Sequence, residues 1–150
     1  MLAEPKGTVQ ESLEIHSGES FAFGTENGTR AVIIGRNPLS EHLTLPPDFP
    51  QDSLTVKLLD TTRLDTSRQQ MRLERGLDGR FSVENMSKTI AMKVNGMSLQ
   101  PTRRILLTGR AQDMQRLTLI WGGKYGAHLL RANGYSETSE GKWNLSLKFA

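Results

Sequence analysis

The feature that most limits the possible folds of this chain is an alternation of apolar and polar residues with a period of two. It recurs along most of the sequence, in segments that read LEI, FAF, LTVKL, MRL, FSV, LTLIW and WNLSLKF. Successive side chains of a strand point to opposite faces of a sheet, so each segment has one core-facing and one solvent-facing side. The pattern predicts many half-buried β-strands.

Short turn signals separate these segments. The stretch RAVIIGR is apolar between its arginines, as in a central strand that is covered on both faces. Four dipeptides accept the positive backbone angles of a tight hairpin: Asn27-Gly28, Asp78-Gly79, Asn95-Gly96 and Asn133-Gly134. The sequence therefore predicts an all-β fold, a meander of hairpins closed into a β-sandwich of two antiparallel or mixed sheets, with a barrel as the less expected closure.

The boundaries follow from composition. Residues 1–11 are predicted to form a flexible tail, residues 12–123 the sandwich, and residues 124–150 an extra pair of C-terminal strands packed on or extending it. The stretch LPPDFPQDS carries three prolines and is predicted to be a surface excursion before an edge-like strand, SLTVKLL. The stretch TGRAQDMQR is predicted to be a loop with one helical turn.

Composition excludes several classes of function. The chain has 150 residues, 36% of them hydrophobic, which suits one globular domain. It contains no cysteine, and the N-terminus does not resemble a signal peptide, so we expect a cytoplasmic protein. Its histidines, His16, His42 and His128, lack the spacing of metal ligands and are interpreted as scattered surface residues. We expect no metal and no cofactor.

An enzyme is not expected either. The glycines between the strands lack the lysine and hydroxyl residue of a phosphate-binding P-loop, and no set of nucleophile and base can be nominated. The net charge of +3 permits an anionic partner. Four arginines, Arg68, Arg72, Arg75 and Arg80, raise weak nucleic-acid binding as an alternative, but Arg72 is predicted on the solvent face of its strand and aromatic residues for base stacking are few.

Two predicted turns carry arginine beside hydroxyl residues. Arg36 follows Gly35 at the end of a buried strand, and Thr66, Ser67 and Arg68 directly precede another strand. A guanidinium presents a rigid donor fork that matches phosphate oxygens, and a hydroxyl adds a further donor. The two turns could form a phosphate pincer; the alternative is that these are ordinary solvated arginines at the ends of loops.

Three short motifs then occur in one order. They are Gly35-Arg36, Ser67-Arg68-Gln69-Gln70, and Lys88-Thr89-Ile90-Ala91-Met92 followed by Val94-Asn95-Gly96. The chain resembles the forkhead-associated (FHA) domain, whose members show Gly-Arg, then Ser-x-x-His, then Ser-Thr-Asn-Gly-Thr before an aliphatic-Asn-Gly turn. The resemblance implies a sandwich of the SMAD/FHA type that recognises phosphothreonine peptides through loops at one end.

The resemblance also assigns residues. Arg36 and Ser67 match the positions that grip the phosphate, Arg68 matches a position that often adds a contact, and Thr89 matches the loop threonine beside the phosphate. The chain departs from the family at two positions. Gln70 replaces a histidine that braces the loops, and an amide can still donate and accept.

The second departure is Ile90, which replaces an asparagine that bonds the peptide backbone. The loop therefore has an apolar tip, and Ile90, Met92 and the neighbouring Lys88 are candidate contacts to a partner. We expect a non-catalytic phosphothreonine-binding module whose partner is the substrate of a Ser/Thr kinase. The alternative is a phosphate-independent scaffold that docks a folded protein through this loop or through an exposed strand near Leu54.

Overall fold

The computed structural model describes residues 11–40, 43–107, 111–123 and 126–150. Almost all regular structure in these ranges is strand. In chain order the strands are β1 (Glu11–Ile15), β2 (Ser20–Gly24), β3 (Ala31–Gly35), β4 (Ser53–Leu58), β5 (Met71–Arg75), β6 (Phe81–Asn85), β7 (Met92–Val94), β8 (Met97–Leu99), β9 (Arg104–Leu106), β10 (Thr118–Trp121), β11 (His128–Glu137) and β12 (Trp143–Phe149). A 3₁₀ turn covers Thr25–Asn27, and the single helical turn α1 (Ala111–Met114) lies where one was predicted.

The strands form two six-stranded sheets, which confirms the predicted all-β sandwich. The first sheet has the order β1-β4-β3-β5-β6-β9 and the second β2-β12-β11-β10-β7-β8. The first sheet is mixed, because β4 pairs in parallel with both β1 and β3. The prediction that β4 is edge-like is therefore wrong. Leu54 on this strand is only 1% exposed, so it cannot form an exposed docking strand.

The core lies between the two sheets. Alternate residues of nearly every strand contribute to it, as the period-two pattern requires. Phe23, Phe81 and Trp143 contact one another edge to face at one end, with ring centroids 5.1 to 6.4 Å apart. Trp121 and Phe149 stack toward the other end. Such aromatic pairs add to the free energy of burial that the strands share.

The C-terminal strands β11 and β12 lie within the second sheet, where β12 pairs with both β11 and β2. The predicted hairpin turn at Asn133-Gly134 is wrong. The pairing register instead shifts between Ala132 and Gly134, so these residues form a β-bulge inside β11. At the N-terminus Glu11, which was predicted to belong to the tail, already pairs with β4. Residues 1–10 and His42 lie outside the described residues.

The proline-rich excursion folds back on the outer face of the first sheet. Phe49 packs there against Ala31 and Ile33, and its ring lies 5.2 Å from the guanidinium carbon of Arg72. Arg72 also forms ion pairs with Asp48 and Glu74 and is 8% exposed. The predicted solvent-facing position of Arg72 is wrong, because the excursion covers this face. No helix within the described ranges is long and apolar enough to cross a membrane.

Candidate functional site

The three motifs meet at one end of the sandwich because their strands are neighbours. The end of β3 lies beside the start of β5, with Ile34 opposite Met71. Met71 in turn lies opposite Asn85 at the end of β6. The loops that follow β3, precede β5 and follow β6 are therefore adjacent.

Gly35 allows the first two loops to touch. A Cβ atom at this position would overlap the carbonyl oxygen of Arg68, so a side chain would separate the loops. The backbone N–H of Arg36 donates to the carbonyl of Ser67 at 3.0 Å. The Nε of Arg36 donates to the carbonyl of Thr66 at 3.2 Å, which fixes the guanidinium. Its terminal nitrogens bind no acceptor among the described residues, so the donor fork remains available.

Ser67 is held by Ser87, with their hydroxyl oxygens 2.6 Å apart. The direction of this hydrogen bond follows from the other partners of Ser87. Its oxygen accepts the backbone N–H groups of Thr89 at 3.2 Å and Ile90 at 2.9 Å. A hydroxyl has two acceptor lone pairs and one hydrogen, so Ser87 must donate its hydrogen to Ser67. The hydrogen of Ser67 is thereby left free for another acceptor.

The side chain of Gln70 forms hydrogen bonds with both the loop before β5 and the end of β6. It is fully buried, and its Oε1 accepts the backbone N–H of Ser67 at 2.9 Å. Its Nε2 donates to Oδ1 of Asn85 at 3.2 Å. Asn85 extends this hydrogen-bond network to the next loop and to β8, since its Nδ2 donates to the carbonyls of Ile90 at 2.8 Å and Leu99 at 3.0 Å. Gln70 therefore bridges the loops that precede β5 and follow β6 through its own amide and that of Asn85.

A second set of contacts anchors the loop before Ser67. Nε1 of Trp121 donates to Oγ1 of Thr66 at 2.9 Å, and Thr66 donates to Oδ1 of Asp65 at 2.8 Å. Burial acts to raise the pKa of the Asp65 carboxyl, but hydrogen bonds from the Thr62 backbone and from Thr66 outweigh burial and leave this pKa below its usual range. The carboxylate of Asp65 is thus buried and hydrogen-bonded within its own loop.

His128 belongs to the same anchor, so its prediction as a scattered surface histidine is wrong. Its ring packs against both Trp121 and Phe149, at centroid distances of 5.5 and 5.8 Å. Its Nε2 lies 3.1 Å from Oδ1 of Asp65, a contact without the alignment of a hydrogen bond. Within the described ranges no group of three or more His, Asp or Glu residues is arranged to hold a metal ion.

The predicted site residues separate into three groups. Arg36 and Ser67 are brought together, and Arg68, Lys88 and Thr89 are exposed beside them. Ile90 is half-buried and packs against the core. The prediction of Met92 as a partner contact is wrong. Met92 begins β7 with its side chain between the sheets, and it is only 2% exposed.

The sequence analysis did not assign Ser87 and Asn85 to the site. Both residues hold the predicted site residues in place by hydrogen bonds, but neither belongs to one of the three motifs. The local signal for them was weak: both are polar residues on either side of Met86, just where a predicted strand ends. Comparison with known proteins adds no assignment, since neither a protein-family model nor a curated protein matches this chain. Any function assigned to this chain therefore depends on the geometry of its loops.

Proposed function

We propose that this chain is a non-catalytic module that binds phosphothreonine peptides in the manner of a forkhead-associated domain, in signalling or assembly between proteins. Its partner would be a protein phosphorylated on threonine by a Ser/Thr kinase. The observation that best supports this proposal is that the loops of Arg36 and Ser67 are in contact, while the terminal nitrogens of Arg36 and the hydroxyl hydrogen of Ser67 have no acceptor among the described residues. Phosphothreonine carries a charge near −2 and three acceptor oxygens, which this donor set matches.

The apolar Ile90 affects how such a peptide would be held. An aliphatic side chain offers no hydrogen bond to a peptide backbone, and the amide of Asn85 is already used inside the protein. Hydrogen bonds to charged groups contribute about 1.5–3 kcal/mol each, against about 0.5–1.5 kcal/mol for neutral ones. The phosphate anchor therefore outweighs the missing backbone contact, and the register of the peptide is less tightly fixed.

The test is fluorescence anisotropy with a degenerate phosphothreonine peptide library and its unphosphorylated twin. We expect the phosphorylated pool to bind and Arg36→Ala to weaken its binding about 10- to 150-fold. The matched control is Arg80→Ala, an exposed arginine at the opposite end of the sandwich in the turn between β5 and β6. Thermal unfolding of Arg36→Ala checks that loss of its bond to Thr66 leaves the fold intact.

Equal binding of the two peptide pools, or unchanged binding by Arg36→Ala, would overturn the proposal. A partner pull-down that survives phosphatase treatment would then favour the phosphate-independent scaffold. Met92→Glu cannot distinguish the two functions, because a charge at this buried position would disrupt the core.

A further inference from the structure

Three exposed cations lie on the loops next to Arg36 and Ser67 and form what we call the cationic rim: Arg68, Lys88 and Arg103. Arg68 directly follows Ser67, and Lys88 directly follows Ser87. Arg103 is brought to the same place by the loop between β8 and β9. The backbone N–H of Thr102 in this loop donates to the carbonyls of Asn85 at 2.9 Å and Ser87 at 3.1 Å. Three adjacent loops thus carry one exposed cation each.

The rim carries uncompensated charge. The ion pairs between described residues all lie elsewhere, joining His16 to Asp60, Arg30 to Asp52, Arg72 to Asp48 and Glu74, Arg75 to Glu137, His128 to Asp65, and Lys142 to Glu140. The acid nearest to Ser67 in the chain is Asp65, whose carboxylate accepts hydrogen bonds from Thr62 and Thr66. Within the described residues, no carboxylate forms an ion pair with a cation of the rim.

A bound phosphate would use Arg36 and Ser67, with an added contact from Arg68, which leaves Lys88 and Arg103 to act on residues on either side of it. Cations at a binding surface attract complementary charges on the partner and repel like charges. The half-buried Ile90 provides no polar contact that would select a peptide in another way. Charge is therefore the strongest property by which this end of the sandwich can distinguish one phosphopeptide from another.

We propose that the ligand is a phosphothreonine peptide in an acidic context, with Asp, Glu or further phosphorylated residues flanking the phosphothreonine. This proposal rests on the proposed function and adds the class of peptide that the site prefers. The rim residues would contact the flanking acids, and the pincer would hold the phosphate.

The experiment compares phosphothreonine peptides flanked by glutamate, alanine or lysine, each with an unphosphorylated twin, by fluorescence anisotropy. Exposed charge pairs contribute modestly, so we expect the glutamate-flanked peptide to bind about three- to thirtyfold more tightly than the alanine-flanked one, and the lysine-flanked one more weakly. The advantage should shrink at high salt because exposed pairs are screened.

The decisive variant is the double substitution Lys88→Glu with Arg103→Glu, which leaves Arg36 and Ser67 in place. It should abolish the preference for glutamate flanks. Binding of the alanine-flanked peptide also weakens, because two reversed charges repel the phosphate, so the measured quantity is the ratio of the two affinities. The matched control is Arg80→Glu, an exposed arginine at the far end of the sandwich, which should keep the full preference. A circular dichroism spectrum of each variant checks that the strands are retained.

Other outcomes separate this proposal from the one it rests on. Equal binding of the glutamate- and alanine-flanked phosphopeptides overturns the acidic context and leaves phosphothreonine recognition standing. Equal binding of phosphorylated and unphosphorylated twins overturns phosphothreonine recognition itself. If a single-stranded DNA oligonucleotide displaces the acidic phosphopeptide with the same potency as the peptide itself, the rim binds polyanions in general and the peptide preference is wrong.

Discussion

At the residue scale, the hydrogen bonds of Ser87 determine whether the hydroxyl hydrogen of Ser67 is free to be donated to a ligand. Ser87 uses both acceptor positions on the backbone N–H groups of Thr89 and Ile90, so its own hydrogen goes to Ser67. The carbonyl of Ser67 is used as well, since it accepts the backbone N–H of Arg36. Ser67 can therefore offer a bound phosphate one hydroxyl hydrogen in a fixed position, which a freely rotating serine could not.

This coupling predicts a non-additive pair of substitutions. Ser67→Ala should weaken binding of a phosphothreonine peptide about tenfold, because it removes one hydrogen bond to a charged group. Ser87→Ala should weaken binding about threefold by releasing the Ser67 hydroxyl. If Ser87 acts through Ser67, the double variant binds about as well as Ser67→Ala alone, as anisotropy would show. Fully additive losses would contradict this, and Ser98→Ala on exposed β8 serves as the control.

Gln70 provides a second prediction at this scale. Gln70→Ala leaves the backbone N–H of Ser67 without its acceptor and removes one of the two donors to Oδ1 of Asn85, which keeps the backbone N–H of Ser87. We expect the free energy of unfolding to fall by about 1–3 kcal/mol, measured by urea denaturation. Gln100→Ala, at an exposed glutamine, should be neutral. A neutral Gln70→Ala would show that the brace is not needed for stability.

At the scale of elements, the proline-rich excursion between β3 and β4 covers the outer face of the first sheet instead of extending into solvent. The ring of Phe49 packs against the guanidinium of Arg72. Arg72 forms ion pairs with Asp48 of the excursion and with Glu74 of its own strand. The side chain of Asp48 is 77% exposed, so its ion pair contributes little by itself. The apolar contact of Phe49 is therefore the main attachment of this element.

Phe49→Ala tests that attachment. The ring is 8% exposed, and large-to-small changes at buried aromatic positions cost about 3–5 kcal/mol in full cores. We expect about 2–4 kcal/mol here because the site lies at the surface of a sheet. Urea denaturation measures the loss, and Leu77→Ala, at a leucine that is 99% exposed, should leave stability unchanged. Equal effects of the two substitutions would mean that the excursion is not packed.

At the scale of the whole molecule, polar contacts join the two sheets at both ends of the sandwich. At the site end, Trp121 of the second sheet donates to Thr66. At the opposite end, Arg75 of the first sheet donates to Tyr135 at 3.1 Å and to Glu137 at 2.7 Å on β11. The Arg75 guanidinium also lies over the ring of Trp143. Both contacts hold the sheets in one relative position.

The Arg75 contact predicts part of the dependence of stability on pH. Its hydrogen bond holds the pKa of the Glu137 carboxyl below its ordinary value, so this group stabilises the fold above the unfolded-state pKa and the contribution is lost as the pH falls through about 4 and below. Glu137→Gln should lower stability at pH 7 by about 0.5–1 kcal/mol, since the pair is partly exposed. The difference from the parent should shrink as the pH falls below about 4.

Denaturant unfolding at several pH values measures this prediction. Glu26→Gln, at an exposed glutamate in the 3₁₀ turn, should follow the parent curve throughout. A constant difference between Glu137→Gln and the parent from pH 7 to pH 3 would show that the ion pair is not the cause. The same sign applies to Asp65, whose lowered pKa adds to the loss of stability in acid.

The sequence by itself determined most of the strands, although not β9, because alternation and turn residues act through neighbours in the chain. The segments around Phe81 and Leu145 lie in strands with the predicted faces inward, and Asn95 and Gly96 have the positive backbone angles expected of a tight turn. It also predicted that Arg36 and Ser67 stand at the ends of strands, and the structure brings their backbones into contact. These properties depend on local geometry, which residue types report directly.

The tertiary structure alone decided which of these elements touch. The parallel pairing of β4, the burial of Arg72 under Phe49 and the inward position of Met92 depend on contacts between segments far apart in the chain. The hydroxyl hydrogen of Ser67 is free because of Ser87, twenty positions away in the chain. The oxygen of Ser87 accepts two backbone N–H groups, so Ser87 donates its own hydrogen to Ser67. Hydrogen-bond partners are set by distance and angle in space, and the spacing of residues along the chain does not contain that information.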